Sequence, residues 1–238
     1  MIDDSELRDL DPFKLLESEM RRVDGFLTTL DESDWAEPTR CEGWTRRDLL
    51  AHLAGDEEYA IACLDGRVDA VLAEASEQGV SGMDSWNAWQ VERRRGLPVD
   101  EVLAGWRAAS AEDRRRLREL DWDGALITMV GPYPAGLQAL HYAAEYAVHA
   151  DDMGVPVADG ELELRNLWRA RFARFALREA GRPVRIESEG GLTRVETVDP
   201  RGVSAELTDE DLVEAVQARL PASSPIPQPL RDALRALA

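Results

Sequence analysis

The sequence predicts an α+β protein in which an all-α four-helix bundle is followed by a smaller α+β domain. Two observations support this fold class. Before residue 155, apolar residues recur at helical spacing in four successive segments, whereas after residue 183 they alternate in short segments between turn residues. The pattern changes at Gly154-Val155-Pro156. We therefore expect one domain at residues 1–155 and a second at residues 156–238.

The first two helices have recognisable start signals. Asp11-Pro12 suits the start of the first helix, and apolar residues then recur three and four positions apart as far as Leu30. Thr45 precedes the second helical segment as a good N-cap residue. Asp48, three residues later, completes a capping-box pattern, so we expect this helix to begin directly after Thr45.

Two further helical regions complete the bundle. A connection at 65–84 is expected to be poorly packed, with some helical content. The third region runs from Trp86 to Leu120, and Pro98 should kink or divide it. A turn-rich segment from Gly124 to Gly136 then leads into the fourth helix, which we place at residues 137–153.

The second domain begins with a helix at residues 162–180, which Gly181 ends. Apolar residues then alternate as in β-strands at residues 184–186, 193–198 and 203–207. A further helix is expected at residues 209–220. The proline-rich tail at 221–229 is typical of a linker, and residues 230–237 are expected to form a last short helix.

The fourth helix contains three potential metal ligands at four-residue spacing, His141, Glu145 and His149. This spacing places all three on one helix face. Glu145 and His149 lie one turn apart and can bind the same ion, but His141 and His149 lie two turns apart, roughly 12 Å along the axis. We therefore expect this helix to supply two ligands and another segment to supply the third.

The remaining histidine, His52, is the candidate for that third ligand. It lies in the second helix, one turn from both Asp48 and Asp56. A lone histidine on a helix is more often a core residue that a neighbouring aspartate satisfies than a metal ligand. The spacing alone leaves both interpretations open.

Charge and composition exclude several classes of partner. The net charge of −19 and the pI of about 4.6 argue against sequence-independent binding to nucleic acid or to an anionic membrane, because both would repel the protein. No apolar run reaches the length of a membrane span, and the N-terminus is acidic. The expected location is cytoplasmic and the expected partners are small molecules, while the oligomeric state is not predicted.

Two motifs carry a resemblance to a known family. The first is Cys41-x-Gly43-Trp44-Thr45, followed by Asp-x-x-x-His that ends at His52 and a leucine. The second is Glu-x-x-x-His-x-x-Asp, formed by residues 145–152. Together these motifs resemble the mycothiol-dependent maleylpyruvate isomerase family of the wider DinB-like metalloproteins, over residues 10–155.

The resemblance implies a DinB-like bundle with a divalent metal ion, with zinc as the first choice, bound by His52, Glu145 and His149. Two imidazoles and one carboxylate with an open fourth position are typical of a catalytic zinc site. The implied cosubstrate is mycothiol. A coordinating thiol is deprotonated, and its thiolate is the nucleophile. The expected activity is that of an S-transferase or a cis-trans isomerase acting on a small electrophile.

The resemblance also draws attention to substrate contacts. The family's usual arginine three residues before the glutamate is Tyr142 here, so substrate binding near that turn is expected to differ. In the isomerases an arginine of the second domain helps to hold the acidic substrate. Arg219 is the candidate catalytic residue for that role, and Ala218 stands where family members often have glycine.

Two alternative functions remain open. Helical bundles of this group also include proteins without known activity, so the chain could be a non-catalytic, metal-stabilised binding or regulatory module. A third possibility is hydrolysis by a metal-activated water without any thiol. Dependence of the activity on thiol distinguishes this last alternative from the favoured function.

Overall fold

The computed structural model describes residues 3–198 and 202–237. The chain forms two compact units: one spans Pro12–Pro156, and the other contains the C-terminal part from Val157 together with the N-terminal segment up to Asp11. The first unit is mainly helical and the second combines helices with an antiparallel sheet. These features confirm the predicted α+β fold class. Among the described residues, no helix has the length and apolar character needed to span a membrane.

The first unit contains six α-helices and one β-hairpin within the described residues. They are α1 Pro12–Leu27, α2 Arg46–Leu64, α3 Val68–Glu77, α4 Met83–Glu92, α5 Val99–Leu120, β1 Ala125–Thr128, β2 Gly131–Pro134 and α6 Ala135–Met153. The four long helices α1, α2, α5 and α6 form the bundle, in which α1 packs chiefly on α6 and α2 packs chiefly on α5. The interior includes the fully buried side chains of Leu53, Trp106 and Leu140.

The start of α2 follows the predicted capping box. Thr45 is the N-cap residue, its side chain accepts a hydrogen bond from the Asp48 backbone N–H, and the Asp48 carboxylate accepts one from the Thr45 backbone N–H at 3.0 Å. These bonds satisfy backbone groups that the first helical turn leaves without partners. They fix the point at which α2 begins, and so the position of His52 two turns further on.

Two connections are more regular than the sequence predicts. The segment at 65–84 contains α3, whose residues Val68 and Ala75 are buried, and the first two residues of α4. The turn-rich segment before α6 contains the antiparallel hairpin β1–β2, in which Thr128 pairs with Gly131. Gly131 has φ of +97°, a conformation that favours glycine. Pro98 does separate two helices, α4 and α5, as predicted.

The second unit is built on a three-stranded antiparallel sheet of order β3-β4-β5. Its elements are α7 Leu162–Glu179, β3 Val184–Glu189, β4 Leu192–Thr197, β5 Ser204–Thr208, α8 Asp209–Val216 and α9 Gln228–Leu234. A separate apolar core includes Leu177, Val195 and Leu207. The N-terminal segment belongs to this unit through Glu6, which accepts hydrogen bonds from Arg174 at 2.9 Å and Arg178 at 3.1 Å.

Candidate metal centre

His52 is placed in the interior of the bundle by α2. Leu49, Leu50 and Leu53 bury the apolar side of the helix, and His52 is itself almost completely buried. Its Nε2 atom lies 3.0 Å from Oε1 of Glu145 on α6. The indole ring of Trp44, just before the helix, lies 5.2 Å from the imidazole ring between centroids. The histidine therefore faces α6 and not the aspartate of the capping box.

Glu145 and His149 approach His52 from α6. The same oxygen, Glu145 Oε1, lies 2.9 Å from His149 Nε2 and 3.0 Å from His52 Nε2. The two imidazole rings are nearly perpendicular, with centroids 4.8 Å apart. One potential ligand atom from each of the three residues lies within 4.8 Å of the other two. Two helices thus bring three potential ligands together around one point.

The cluster is closed on the histidine side and open on the glutamate side. The side chains of His52 and His149 are 3% and 7% exposed, whereas that of Glu145 is 36% exposed. Solvent therefore reaches the cluster past Glu145.

The electrostatics of the cluster favour charged side chains. Burial lowers the pKa of His149, but the negative charge of Glu145 and the hydrogen bond with Asp152 outweigh it, so that the pKa lies well above its usual value. For Glu145, burial raises the pKa, but the charge of His149 and the hydrogen bonds from both histidines bring it well below the usual range. A metal ion must displace the proton that these neighbours hold on His149.

Asp152 holds the ring of His149 in place. Its Oδ2 atom lies 3.0 Å from His149 Nδ1 and accepts a hydrogen bond from the Cys41 thiol at 3.1 Å. The carboxylate is completely buried. A carboxylate that accepts a hydrogen bond from Nδ1–H leaves Nε2 free to act as a ligand and fixes the ring orientation. In the sequence, Cys41 and Asp152 belong to two separate motifs, and the 111 positions between them hide this contact.

Cys41, His149 and Asp152 form a second group with potential ligand atoms close together. Cys41 Sγ lies 3.9 Å from His149 Nδ1. However, Nδ1 faces the Asp152 carboxylate at hydrogen-bond distance, and Nε2 of the same ring faces Glu145. This arrangement is that of a residue supporting a metal ligand.

Asp56 adds a further acidic group beside the cluster. Its Oδ2 atom lies 3.2 Å from His52 Nε2. Burial raises the pKa of Asp56 to about 6, and the negative charge of Glu145 contributes to this rise. On the other side of the His52 ring, Nδ1 is buried without a hydrogen-bond partner among the described residues. His52 is therefore oriented from the Nε2 side, unlike His149.

The three residues fit a zinc ion. Zinc is bound by histidine nitrogen and carboxylate oxygen at about 2.0–2.2 Å, so ligand atoms at tetrahedral angles lie about 3.4 Å apart. The two nitrogen–oxygen separations here are 3.0 and 2.9 Å, and small side-chain rotations would bring them to that value. The set of two imidazoles and one carboxylate leaves a coordination position for a further group.

The other residues considered from the sequence lie elsewhere. His141 is half-buried on α6, and its Nε2 atom lies 3.2 Å from the hydroxyl group of Tyr133 on the hairpin. The hydroxyl group of Tyr142 is buried and has no hydrogen-bond partner among the described residues. Arg219 is half-buried in the second unit, after α8, and donates a hydrogen bond to the Gln217 carbonyl at 3.1 Å.

Comparison with known proteins gives one family and two similar structures. Residues 16–154 match the family model of the mycothiol maleylpyruvate isomerase N-terminal domain, which confirms the resemblance seen in the motifs. The crystal structure of a mutant of the mycothiol-dependent maleylpyruvate isomerase matches with a TM-score of 0.55 and 19% identity, over 78% of this chain and 77% of that chain. A second crystal structure of the mycothiol-dependent maleylpyruvate isomerase has a TM-score of 0.51 and 21% identity, over 73% and 71%. At these identities the structures show a shared fold. No curated protein matches the chain.

Proposed function

The chain belongs to the mycothiol maleylpyruvate isomerase N-terminal domain family, and from this premise we propose that it is a metal-dependent enzyme with a thiol cosubstrate. The thiol is mycothiol or a similar low-molecular-weight thiol, and the reaction is S-transfer to, or cis-trans isomerisation of, a small electrophile. The observation that carries this proposal is the convergence of His52, Glu145 and His149 on one point with an exposed side. A reducing cytoplasm suits such an enzyme, because its thiol stays reduced there.

In this proposal, three residues bind the metal ion and two others hold one of these ligands in position. His52, Glu145 and His149 hold a divalent ion, most suitably zinc, which when bound lowers the pKa of a coordinating thiol and so supplies a thiolate nucleophile. Asp152 holds His149 in the tautomer that directs Nε2 into the site. The Cys41 thiol supports Asp152 by donating a hydrogen bond to it.

Arg219 is proposed to help hold an acidic substrate. A guanidinium group binds carboxylates through paired hydrogen bonds, and this suits the acidic substrate that the family resemblance implies. If Arg219 has this role, Arg219→Ala should raise KM for an anionic electrophile and leave KM for a neutral one unchanged. Equal effects on both would show that Arg219 is structural.

Metal analysis of purified variants tests the ligand set. We expect His52→Ala, Glu145→Ala and His149→Ala each to abolish stoichiometric metal binding. His141→Ala is the matched control, because His141 lies on the same helix, one turn before Glu145, but faces Tyr133. If His141→Ala alone empties the site, the assignment is wrong.

Calorimetry tests the role of the thiol. Mycothiol binding to the zinc-loaded protein should release a proton, because the thiol has a free pKa of roughly 8.5 and binds as thiolate. The observed enthalpy should then vary with the ionisation enthalpy of the buffer, and chelator-treated protein should show neither binding nor release. Binding without proton release would favour a non-catalytic binding module. Turnover that persists in thiol-free buffer would favour hydrolysis.

A further inference from the structure

The proposed ligands come from two helices that are not close packing partners. His52 lies on α2, which packs chiefly on α5, while Glu145 and His149 lie on α6, which packs chiefly on α1. The separation of α2 and α6 nevertheless decides whether His52 can share an ion with the other two residues. Specific contacts between α2 and α6 near the site therefore matter for this separation, because packing between these two helices is limited.

A buried chain of hydrogen bonds joins these helices beside the ligands. The hydroxyl group of Tyr146 on α6 donates to Oε1 of Glu57 on α2 in a short hydrogen bond. The same hydroxyl group accepts a hydrogen bond from Nε1 of Trp106 on α5 at 2.8 Å. All three side chains are almost completely buried. Two hydrogen bonds thus hold the Tyr146 hydroxyl group in place, one that it donates and one that it accepts.

These residues lie next to the proposed ligands along both chains. Tyr146 directly follows Glu145, and Glu57 follows His52 by five residues, about 7.5 Å along the axis of α2. A change in the Tyr146–Glu57 contact would therefore move α6 relative to α2 within about one to two turns of the ligand atoms.

This chain of bonds includes a carboxyl group whose burial is unfavourable. Burial of Glu57 raises its pKa well above the usual value, and the negative charge of Asp113 raises it further. The second oxygen of Glu57, Oε2, has no hydrogen-bond partner among the described residues. A carboxyl group buried in this way is costly, and an apolar side chain of similar size is often at least as stabilising. What the polar link adds is a fixed distance and direction between two helices.

We propose that Tyr146, held between Glu57 and Trp106, is a positioning residue that sets the separation of α2 and α6 at the metal centre. This inference rests on the proposed function, since it assumes that His52, Glu145 and His149 bind an ion. Tyr146 itself touches neither the ion nor the substrate in this assignment. It acts through the placement of the two ligand-bearing helices.

The test measures metal binding directly. In Tyr146→Phe the link to α2 is lost while the ring remains, and we expect the affinity for Zn²⁺ to fall about tenfold or more, as for other residues that support metal ligands. The visible absorption of the Co²⁺-loaded variant should change as well, because the ligand geometry changes. The matched control is Tyr142→Phe, which removes a buried hydroxyl group without a hydrogen-bond partner from the same helix. It should leave both measurements unchanged.

A second pair of variants keeps the test decisive if Tyr146→Phe does not fold. Glu57→Gln retains an oxygen that accepts the Tyr146 bond and should bind Zn²⁺ within about threefold of the wild type, whereas Glu57→Leu should lose at least as much affinity as Tyr146→Phe. If the wild type binds Zn²⁺ and Tyr146→Phe or Glu57→Leu matches its affinity and its Co²⁺ spectrum, this inference is overturned. If the wild type itself binds no stoichiometric metal, the proposed function fails instead.

Discussion

Asp113 on α5 is the clearest case of a costly single residue in the bundle. It is 1% exposed, and its Oδ1 atom has no hydrogen-bond partner among the described residues. Burial raises its pKa to about 7, although Arg114 and Arg116 oppose this shift. The charge of Asp113 also raises the pKa of Glu57 and of Tyr142. Ionisation of Asp113 therefore opposes folding near neutral pH.

The first prediction follows from the sign of this shift. Between pH 4 and pH 7 the folded state holds a proton on Asp113 that the unfolded state has lost, so this residue stabilises the fold less as the pH rises. A shift from 3.8 to about 7 corresponds to at most about 4 kcal/mol. Asp113→Asn should therefore raise the free energy of unfolding by roughly 1–3 kcal/mol at pH 8 and have little effect at pH 4.5.

Urea unfolding at both pH values measures this difference. The matched control is Glu112→Gln, because Glu112 is the preceding residue but is exposed and paired with Arg115. Its pKa is lowered, chiefly by the hydrogen bond from Arg115, so its replacement should not be stabilising at either pH. If Asp113→Asn instead lowers the free energy of unfolding at pH 8, neighbouring groups stabilise the charged Asp113 carboxylate in solution.

The second prediction at this scale concerns Asp152. Asp152→Asn keeps the shape of the side chain but removes the charge that orients His149, and we expect the affinity for Zn²⁺ to fall by about 10- to 100-fold. Cys41→Ser is the comparison variant, because a serine hydroxyl group can still donate the hydrogen bond to Asp152. It should bind Zn²⁺ nearly as tightly as the wild type in a competition assay with a chelator. If the wild type, Asp152→Asn and Cys41→Ser bind Zn²⁺ with equal affinity, Asp152 does not support the metal site.

At the scale of single elements, local signals made much of the fold predictable. The start of α2 follows from Thr45 and Asp48, which lie three residues apart and bond to each other. The pairing of Glu145 with His149 follows from their spacing on one helix. His52 is different, because its contact with Glu145 depends on how α2 is placed against α6. The spacing of residues in the sequence could not predict this contact, whereas the family motifs indicated it.

Other features depend on contacts that no local pattern records. The hairpin β1–β2 has strands of only four residues, too short for a clear alternation of apolar and polar residues. The contact of Cys41 with Asp152 joins residues 111 positions apart. Both become visible only when the bundle is assembled, so sequence reasoning assigned a turn to the first and no role to the second.

The third prediction concerns the end of α8. Ala218 has φ of +55°, in the left-handed region where a side chain costs about 1–2 kcal/mol. Glycine, which often stands here in the family, has no such cost but loses more entropy on folding. Ala218→Gly should therefore raise the free energy of unfolding by roughly 0.5–1 kcal/mol.

Denaturant unfolding of Ala218→Gly can be compared with the same exchange inside a helix. Ala111 is exposed on α5 and does not have a positive φ. Ala111→Gly should lower the free energy of unfolding by about 1 kcal/mol, because glycine is a poor helix former. If both exchanges destabilise the protein, the left-handed conformation of Ala218 is not retained in solution.

For the molecule as a whole, the main electrostatic feature is the excess of acidic residues. The chain has 47 acidic and 28 basic residues, a net charge of −19. Local ion pairs offset part of the repulsion between acidic groups, as where Arg115 lies 2.7 Å from Glu112 and 2.5 Å from Glu119. Exposed pairs of this kind contribute only about 0.2–1 kcal/mol each. The remaining like charges repel one another in the folded state more than in the expanded unfolded chain.

The last prediction is that salt stabilises this protein. Raising NaCl from 10 to 150 mM shortens the Debye length from about 30 Å to about 8 Å, which screens the long-range repulsion more than the close ion pairs. At constant zinc and pH, the unfolding temperature should rise by roughly 2–4 °C, which corresponds to about 1 kcal/mol for a chain of this size. The comparison protein carries Glu74→Lys and Glu77→Lys, two exposed positions on α3. Its smaller net charge should make its unfolding temperature less sensitive to salt. A wild-type unfolding temperature that falls with NaCl would mean that the ion pairs outweigh the repulsion, and the stability of the fold would then depend on them.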